Sequence, residues 1–484
     1  MGSVLMKPIR ESVKRLHELS KCVKKEKKES GNNSSETVWS KCNVCIEANS
    51  NQHQHYNCSC GLNINDGHQH GNTTTAVDDD AKPPNSSFAH AVINMVGMLI
   101  GLGQLSTPYA IEKGGWGCAL IFVIGLAIMC CYSCNLLMKC LEKNPKLRSY
   151  VDIGEHAFGR RGKLLASTFI YVEIFMALVS YTISLHDNLT TVFMGTHFQQ
   201  HFLNKLHVAN VLSSSQILTM LAVFVAVPSL WFSDLSSISF LSTLGILMSL
   251  VIFLSVASTP IFGGVKVNHT IPLLQLRNVP SVSGIYFYSY AGHVVFPDLY
   301  RAMKDPSKFT KVSIVSFSVV TILYTTLGFL GAKMFGGEVK SQITLSMPHK
   351  STITKIGQWA TVITPITKYA LEFAPLAIHF HHKLPTSMSR RSKMIARGTV
   401  GSVVLLVILA LALSVPYFES VLGLTGSLVS VAICLIFPCA FYTKICWPQI
   451  PKLVKVLNFC LIAFGVVIGV MGTISSSRLL LNNL

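Results

Sequence analysis

The sequence predicts an all-α polytopic membrane protein of about eleven transmembrane helices, and three observations carry that reading. Half of the 484 residues are apolar and only 13% are charged, with a mean hydropathy of +0.47; a soluble chain of this length needs more polar surface. Lys and Arg crowd into short segments between long tracts that carry almost none. The net charge of +18 therefore reads as a record of membrane topology, with no nucleic-acid partner implied. Apolar stretches long enough to cross about 30 Å of hydrocarbon recur along the chain.

Those stretches fall near 88–111, 117–138, 164–187, 216–232, 236–258, 282–303, 310–335, 355–380, 396–416, 419–441 and 454–476. Only the stretch around Ser233-Asp234 divides the fourth from the fifth, so the count rests on that short gap. Residues 1–86 are polar, rich in Gly, Asn, Ser and His, and too poor in large apolar side chains to offset their ordering entropy; they read as a disordered tail. The Lys-rich start lacks the apolar core of a secretion signal, and Met6 stands where a myristoylation motif after Met1-Gly2-Ser3 wants Ser or Thr. The domain plan is thus a tail over 1–86, a transmembrane domain over 87–476 and a short end over 477–484.

Positive charge sets the orientation. Lys24, Lys25, Lys27 and Lys28 precede the first span, and cations return in alternate loops at Lys143 to Arg161, Arg301 to Lys311, Lys383 to Lys393 and Lys444 to Lys455. The intervening loops are poorer in cations, although 336–355 holds several. By the positive-inside rule the N-terminus is cytosolic, and an odd helix count leaves the C-terminus on the other side. The sequons at Asn188 and Asn268 then face the non-cytosolic side, where glycosylation can occur, whereas one at Asn72 cannot be reached. Tyr150 to Arg161 is too polar to span; it reads as an interfacial amphipathic element or as a plain loop.

Two spans look broken. In the first, Gly101 and Gly103 permit backbone angles that other residues resist, and Pro108 frees the carbonyl of Gln104. In the sixth, Tyr290-Ala291-Gly292-His293 is followed by Pro297, so each break has a proline five positions after its last glycine. Unpaired backbone inside a bilayer survives only when buried in protein or lining a polar cavity. Matched interruptions in the two halves of a chain point to an inverted-repeat transporter and to its site; as isolated features they would be packing or kink residues. A half-helix beginning near Gln104 offers free N–H groups and a positive dipole end to a carboxylate, with hydroxyls at Ser106 and Thr107 beside it. Carbonyls around Ser289 to Gly292, and those before Gly101, can accept from an ammonium. A small amino acid satisfies both ends.

Three ionisable residues inside spans are candidates for proton coupling, set against buried structural roles. Glu173 has no basic neighbour one turn away, His293 sits in the second break, and Glu372 follows Lys368 by four residues, close enough for the two simply to pair. Nine of the fourteen cysteines lie in or beside apolar segments and read as packing residues, not as disulfides.

At these residues the chain resembles a known family. The run from Gly101 to Ala110, followed by Glu112 to Trp116, is similar to the first-helix signature of the amino acid/auxin permease family, and within it to the plant branch of vacuolar amino acid transporters. Ser149 to Gly159, Tyr290 to Pro297 and Pro365 to Ala370 support the match over residues 87–476. The resemblance implies a five-plus-five inverted-repeat (LeuT-like) core with the first and sixth helices broken. It also implies transport of amino acids, neutral ones by default, with a proton as coupling ion and no organic cofactor. The implied membrane is the vacuole's, with the plasma membrane or another endomembrane as alternatives. By that analogy Gly101, Leu102, Gly103, Gln104, Leu105 and Ser106 contact the substrate carboxylate, while Ser289, Tyr290, Ala291 and Gly292 line the amine side. Gln104 departs from the family, which usually has an apolar residue there, so substrate preference or coupling can differ.

The tail holds Cys42, Cys45, Cys58 and Cys60 with His53, His55, His68 and His70. Such side chains can ligate zinc or copper, yet the spacing is not that of a zinc knuckle, and a low-complexity tail explains them as well; no metal site is expected. A membrane-embedded amino acid sensor that signals through its tail is the alternative to a transporter. A metal transporter would want clustered ligands inside the spans. No phosphate loop, nucleophile elbow or His-Glu-x-x-His motif points to an enzyme.

Overall fold

The computed structural model describes residues 85–193, 213–231, 235–349, 351–383 and 389–483. The Cys/His tail lies outside them. The helices are α1 (Phe88–Leu99), α2 (Gly103–Gly114), α3 (Trp116–Lys143), α4 (Tyr150–Phe193), α5 (Ser214–Trp231), α6 (Leu235–Phe262), α7 (Val279–Ser289) and α8 (Phe296–Ala302). There follow α9 (Phe309–Phe335), α10 (Thr352–Lys383), α11 (Arg390–Ser414), α12 (Phe418–Thr425), α13 (Phe437–Cys446) and α14 (Lys452–Asn483). They fall on the eleven expected spans, with α1–α2 forming the first, α7–α8 the sixth and α12–α13 the tenth. Among the described residues seven helical stretches, one of them the whole tenth span, are each long and apolar enough to cross a membrane, and the α1–α2 pair, bent by 57°, makes an eighth. The sixth span is divided by its break into pieces too short to qualify alone. The last helix runs to Asn483, so residues 477–483 continue it.

Local chemistry explains the boundaries. Ser87 caps α1 by accepting from the His90 amide. Gly115, at φ 91°, turns the chain between α2 and α3, a conformation costly for any side chain with a Cβ. Tyr150 to Ala157 is helical and joins the third span through a kink at Phe158 and Gly159, the latter at φ 62°. One face of that short helix is buried, and the Tyr150 hydroxyl donates to the Ile433 carbonyl at 2.8 Å. The polar stretch is therefore a docked helix, not a plain loop.

The core is made where the interrupted spans meet the rest. α9 packs on α1, α2 and α3, while α10 packs along α6 and α4. α7 crosses the tenth span so closely that a Cβ on Gly284 would enter the backbone of Gly423, and one on Gly426 would enter that of Gly284; small residues permit such approaches in membrane bundles. Between α12 and α13 the tenth span takes π-helical turns at Gly426–Ser430 and Ala432–Ile436. The nine described cysteines are all free, and seven of them are buried.

One sequon reading needs correcting. Asn188 is fully buried: its Nδ2 donates to the Ser184 carbonyl and to Gln342 Oε1, both at 2.8 Å, and Thr344 donates to its Oδ1 at 3.0 Å. A glycan cannot be attached there without unpacking the helix. Asn268 is exposed.

Candidate functional site

The first break spans Ile100 to Leu102. Ile100 turns extended at φ −77°, ψ 113°, ending α1, and α2 starts at Gly103. Pro108 lies inside α2 and does not cause the interruption. The second break runs from Tyr290 to Val295, and there Pro297 sits in the first turn of α8, where a missing N–H costs nothing. The two prolines thus play different parts.

The breaks touch each other. A Cβ placed on Gly103 would lie 2.7 Å from the Cα of Ser289, so only glycine lets the chains approach this closely. The carbonyls released at the end of α1 are taken by the scaffold. Tyr324, on α9, has its hydroxyl 2.7 Å from the Leu99 carbonyl and 3.0 Å from that of Ser289. Lys368, on α10, donates its Nζ to the Ile100 carbonyl at 2.7 Å. The N–H groups of Gly101, Leu102 and Gly103 make no backbone bond among the described residues. They begin a half-helix and carry its positive end, which suits an anion. At the second break the Gly292 and His293 amides point at the Cys434 sulfur.

A cavity of about 150 Å³ lies where the first, third, sixth and eighth spans meet. Gly101, Leu102 and Gly103 line it from the first break, Ala291 and Gly292 from the second, and Glu173, Tyr181, Tyr288, Lys368 and Glu372 supply its polar groups. Five of the ten expected substrate residues therefore reach it. Gln104, Leu105, Ser106, Ser289 and Tyr290 are buried behind it. Ser106 donates to the Ser341 carbonyl at 2.8 Å, Ser289 to its own helix at Ile285, and the Tyr290 hydroxyl turns to Val123 and Thr321.

The three coupling candidates separate in the same way. Glu173 and Glu372 line the cavity, and Glu173 accepts from Ser430 at 3.0 Å. His293 faces α3: its Nε2 lies 3.1 Å from the Cys130 carbonyl, which can only accept, and its Nδ1 has no partner among the described residues. A second proton there would be buried without an acceptor, an arrangement that costs about 1–3 kcal/mol or more. Lys368 does not pair with Glu372 within 4.0 Å. Sequence reasoning treated it as that partner and so missed its role on the break; a lysine in an apolar span was the available signal. Tyr324 gave no signal, since tyrosines are ordinary in such helices.

A hydrogen-bonded cluster centred on Gln342 joins α4 to the segment before α10. Gln342 accepts at Oε1 from Ser184 at 2.6 Å and Asn188 at 2.8 Å, and its Nε2 donates to Asp187 at 2.7 Å. With the Ser106–Ser341 bond, this ties the segment before α10 to α4 and to the first span.

A helical bundle in which two interrupted spans close on a charge-lined cavity defines a membrane transporter of inverted-repeat architecture. Residues 84–478 match the family described as transmembrane amino acid transporter protein, and the chain belongs to it. It is 58% identical over 405 residues to amino acid transporter AVT1H of Arabidopsis thaliana, which covers 84% of this chain and 92% of that protein. Amino acid transporter AVT1D of the same plant is 36% identical over 409 residues, covering 83% and 72%. The vesicular inhibitory amino acid transporter of Xenopus laevis is 25% identical over 418 residues, covering 82% and 76%. Among solved structures, MhsT in complex with L-phenylalanine matches with a TM-score of 0.50 at 12% identity, over 82% of this chain and 100% of that one. That likeness is one of fold: the LeuT-like core with broken first and sixth spans is what the sequence led one to expect. The protein is a multi-pass membrane protein of an amino acid transporter family.

Proposed function

We propose that this chain is a secondary active transporter that carries small neutral amino acids across the vacuolar membrane by alternating access, driven by protons. The carrying observation is the cavity itself, whose lining brings the first break, with the Leu102 and Gly103 amides making no backbone bond among the described residues, together with the carboxylates of Glu173 and Glu372 around a space of amino-acid size. The substrate carboxylate sits on the amides of the first break. Its ammonium is held toward the carboxylates and the remaining lone pairs of the break carbonyls. The names of the relatives support the substrate class, and the resemblance of the motifs to the plant branch of vacuolar amino acid transporters supports the membrane.

The cation-rich loops support a cytosolic N-terminus. On that orientation Met98, Ile170 and Val294 line the cytosolic half of the cavity, and the bonds around Gln342 close the opposite side. The conformation is read as the one turned toward the cytosol, with Glu173 and Glu372 exchanging the proton. Uptake of labelled amino acids into proteoliposomes under an imposed pH gradient tests the reading. Gradient-driven, saturable uptake is expected. Saturable binding without flux would replace the transporter by a sensor, and flux that ignores the pH gradient would remove the proton.

A further inference from the structure

Among the described residues lining the cavity, Lys368 is the only cation. Its Nζ meets the Ile100 carbonyl at 2.7 Å, and no carboxylate lies within 4.0 Å of it. Burying an ammonium inside a membrane bundle costs several kcal/mol, so a lysine kept there with Glu372 acting on it only from beyond 4.0 Å calls for a closer compensating partner. The partner is the end of α1. Its released carbonyls carry the negative end of the half-helix dipole, worth about half an elementary charge, and backbone of this kind is where broken-helix transporters seat a coupling cation. A lysine head brings three donors and one charge to that seat on a tether.

The surroundings complete the picture. Glu372 stands one turn further along α10, Glu173 and Tyr181 come from α4, and Tyr288 comes from α7. Gly245 of α6 packs near the lysine stem. Neither α6 nor α5, both packed on α10, contains a titratable residue, and the titratable residues of α11 lie among its first eight, Arg390 to Arg397. A Cβ on Gly101 would come within 3.3 Å of Nζ, so the head is held directly against the break.

We propose that Lys368 is the coupling residue of this transporter: its ammonium stands in for a free cation at the broken end of the first span, and gain and loss of its proton latches and unlatches that span from the eighth. The proposal rests on the proton-driven reading above. In the latched state Nζ holds the proton and donates to Ile100. On release the proton passes to water or to the carboxylate of Glu372 or Glu173, Nζ keeps the lone pair as a neutral amine, and a charge-assisted bond becomes a neutral one about half as strong. The cycle needs no sodium.

The test uses the full chain in proteoliposomes with Lys368→Met and Lys368→Arg. Arginine keeps a cation on the break but cannot give up its proton. Both variants should lose pH-gradient-driven uptake roughly tenfold or more relative to amino acid counterflow, the size set by a charged hydrogen bond, and any residual uptake should have a flattened pH profile. Replacing sodium by choline should leave wild-type uptake unchanged. A wild-type ratio and pH profile in both variants would overturn the proposal, as would saturable stimulation by sodium. A second readout does not require transport. The unfolding midpoints of the purified wild type and Lys368→Met should diverge with pH; parallel curves would also overturn the latch. If the wild type shows neither uptake nor counterflow, the transport reading fails, and the unfolding curves alone decide the latch.

Discussion

Gly103 is where the two breaks meet, and enlarging it gives the sharpest perturbation of the site. A Cβ at this position lands 2.7 Å from both Cα and Cβ of Ser289. Ordinary carbon contacts are about 3.5–4.0 Å, so the broken spans must separate by roughly 1 Å. The obstructing atom is backbone, which cannot swing away. Overpacking of this kind costs about 1–3 kcal/mol in stability, which a bundle of this size tolerates. Displacing positioning groups by about 1 Å can cost around 100-fold in rate. Gly103→Ala should therefore insert and fold while losing most uptake, and Gly103→Val should abolish it. Gly125→Ala, on α3 and outside the cavity lining, is the control: its Cβ meets only the end of the Met129 side chain at 4.0 Å. The assay is initial-rate uptake, normalised to protein in the membrane, with unfolding midpoints measured in parallel. Normal uptake in Gly103→Ala would detach the substrate site from the first break. Equal losses in the Gly125 and Gly103 variants would refute the close-contact argument.

Other outcomes follow from the same geometry. Glu173→Gln keeps an oxygen for Ser430, so it should fold and flatten the pH dependence of uptake; an unchanged profile returns Glu173 to a structural role. Tyr324→Phe removes the donor serving two break carbonyls and should lower unfolding free energy by about 1–3 kcal/mol, with a wild-type denaturation curve as the contrary result. Asn268→Gln should abolish any glycan-dependent gel shift and Asn188→Gln should not; the reverse pattern would contradict the burial of Asn188. Gln342→Ala removes three hydrogen bonds and should raise labelling of a cysteine at Ser184 by an impermeant reagent from the non-cytosolic side about tenfold or more. Unchanged labelling would mean that the cluster is not the seal.

The fold was legible because a bilayer leaves few choices. Backbone must be satisfied within each span, so apolar length and cation placement locate helices, and the ends found at Phe88, Phe309 and Phe418 lie within a residue of those expected. The two glycine breaks were legible for the converse reason, since glycines at matched places in two halves mark backbone that must bend. Side-chain direction was not. Gln104 and Gly103 are neighbours in sequence, yet one lines the cavity and the other is buried behind it. His293 sits in the break but faces α3. Which side of an irregular segment a residue faces depends on its φ and ψ, and no periodicity reports those angles.

Gln104 departs from the family, yet it is buried behind the cavity and does not line it. What distinguishes the site is how its released carbonyls are occupied. Leu99 and Ser289 share a neutral hydroxyl from Tyr324, and Ile100 holds a charged head from Lys368. Each carbonyl has a second lone pair, so a substrate ammonium can still bind, but it does so beside a fixed positive charge on the Ile100 side and beside a neutral group on the other. Two unit charges about 4 Å apart repel by about 1–4 kcal/mol between bulk water and a protein surface. On the binding mode proposed above, that difference steers the substrate's ammonium toward the Tyr324 side and toward Glu173 or Glu372, leaving its carboxylate to the amides of the first break. A substrate with a second cation would have to place it against Lys368, so the same argument that orients a neutral amino acid disfavours a basic one.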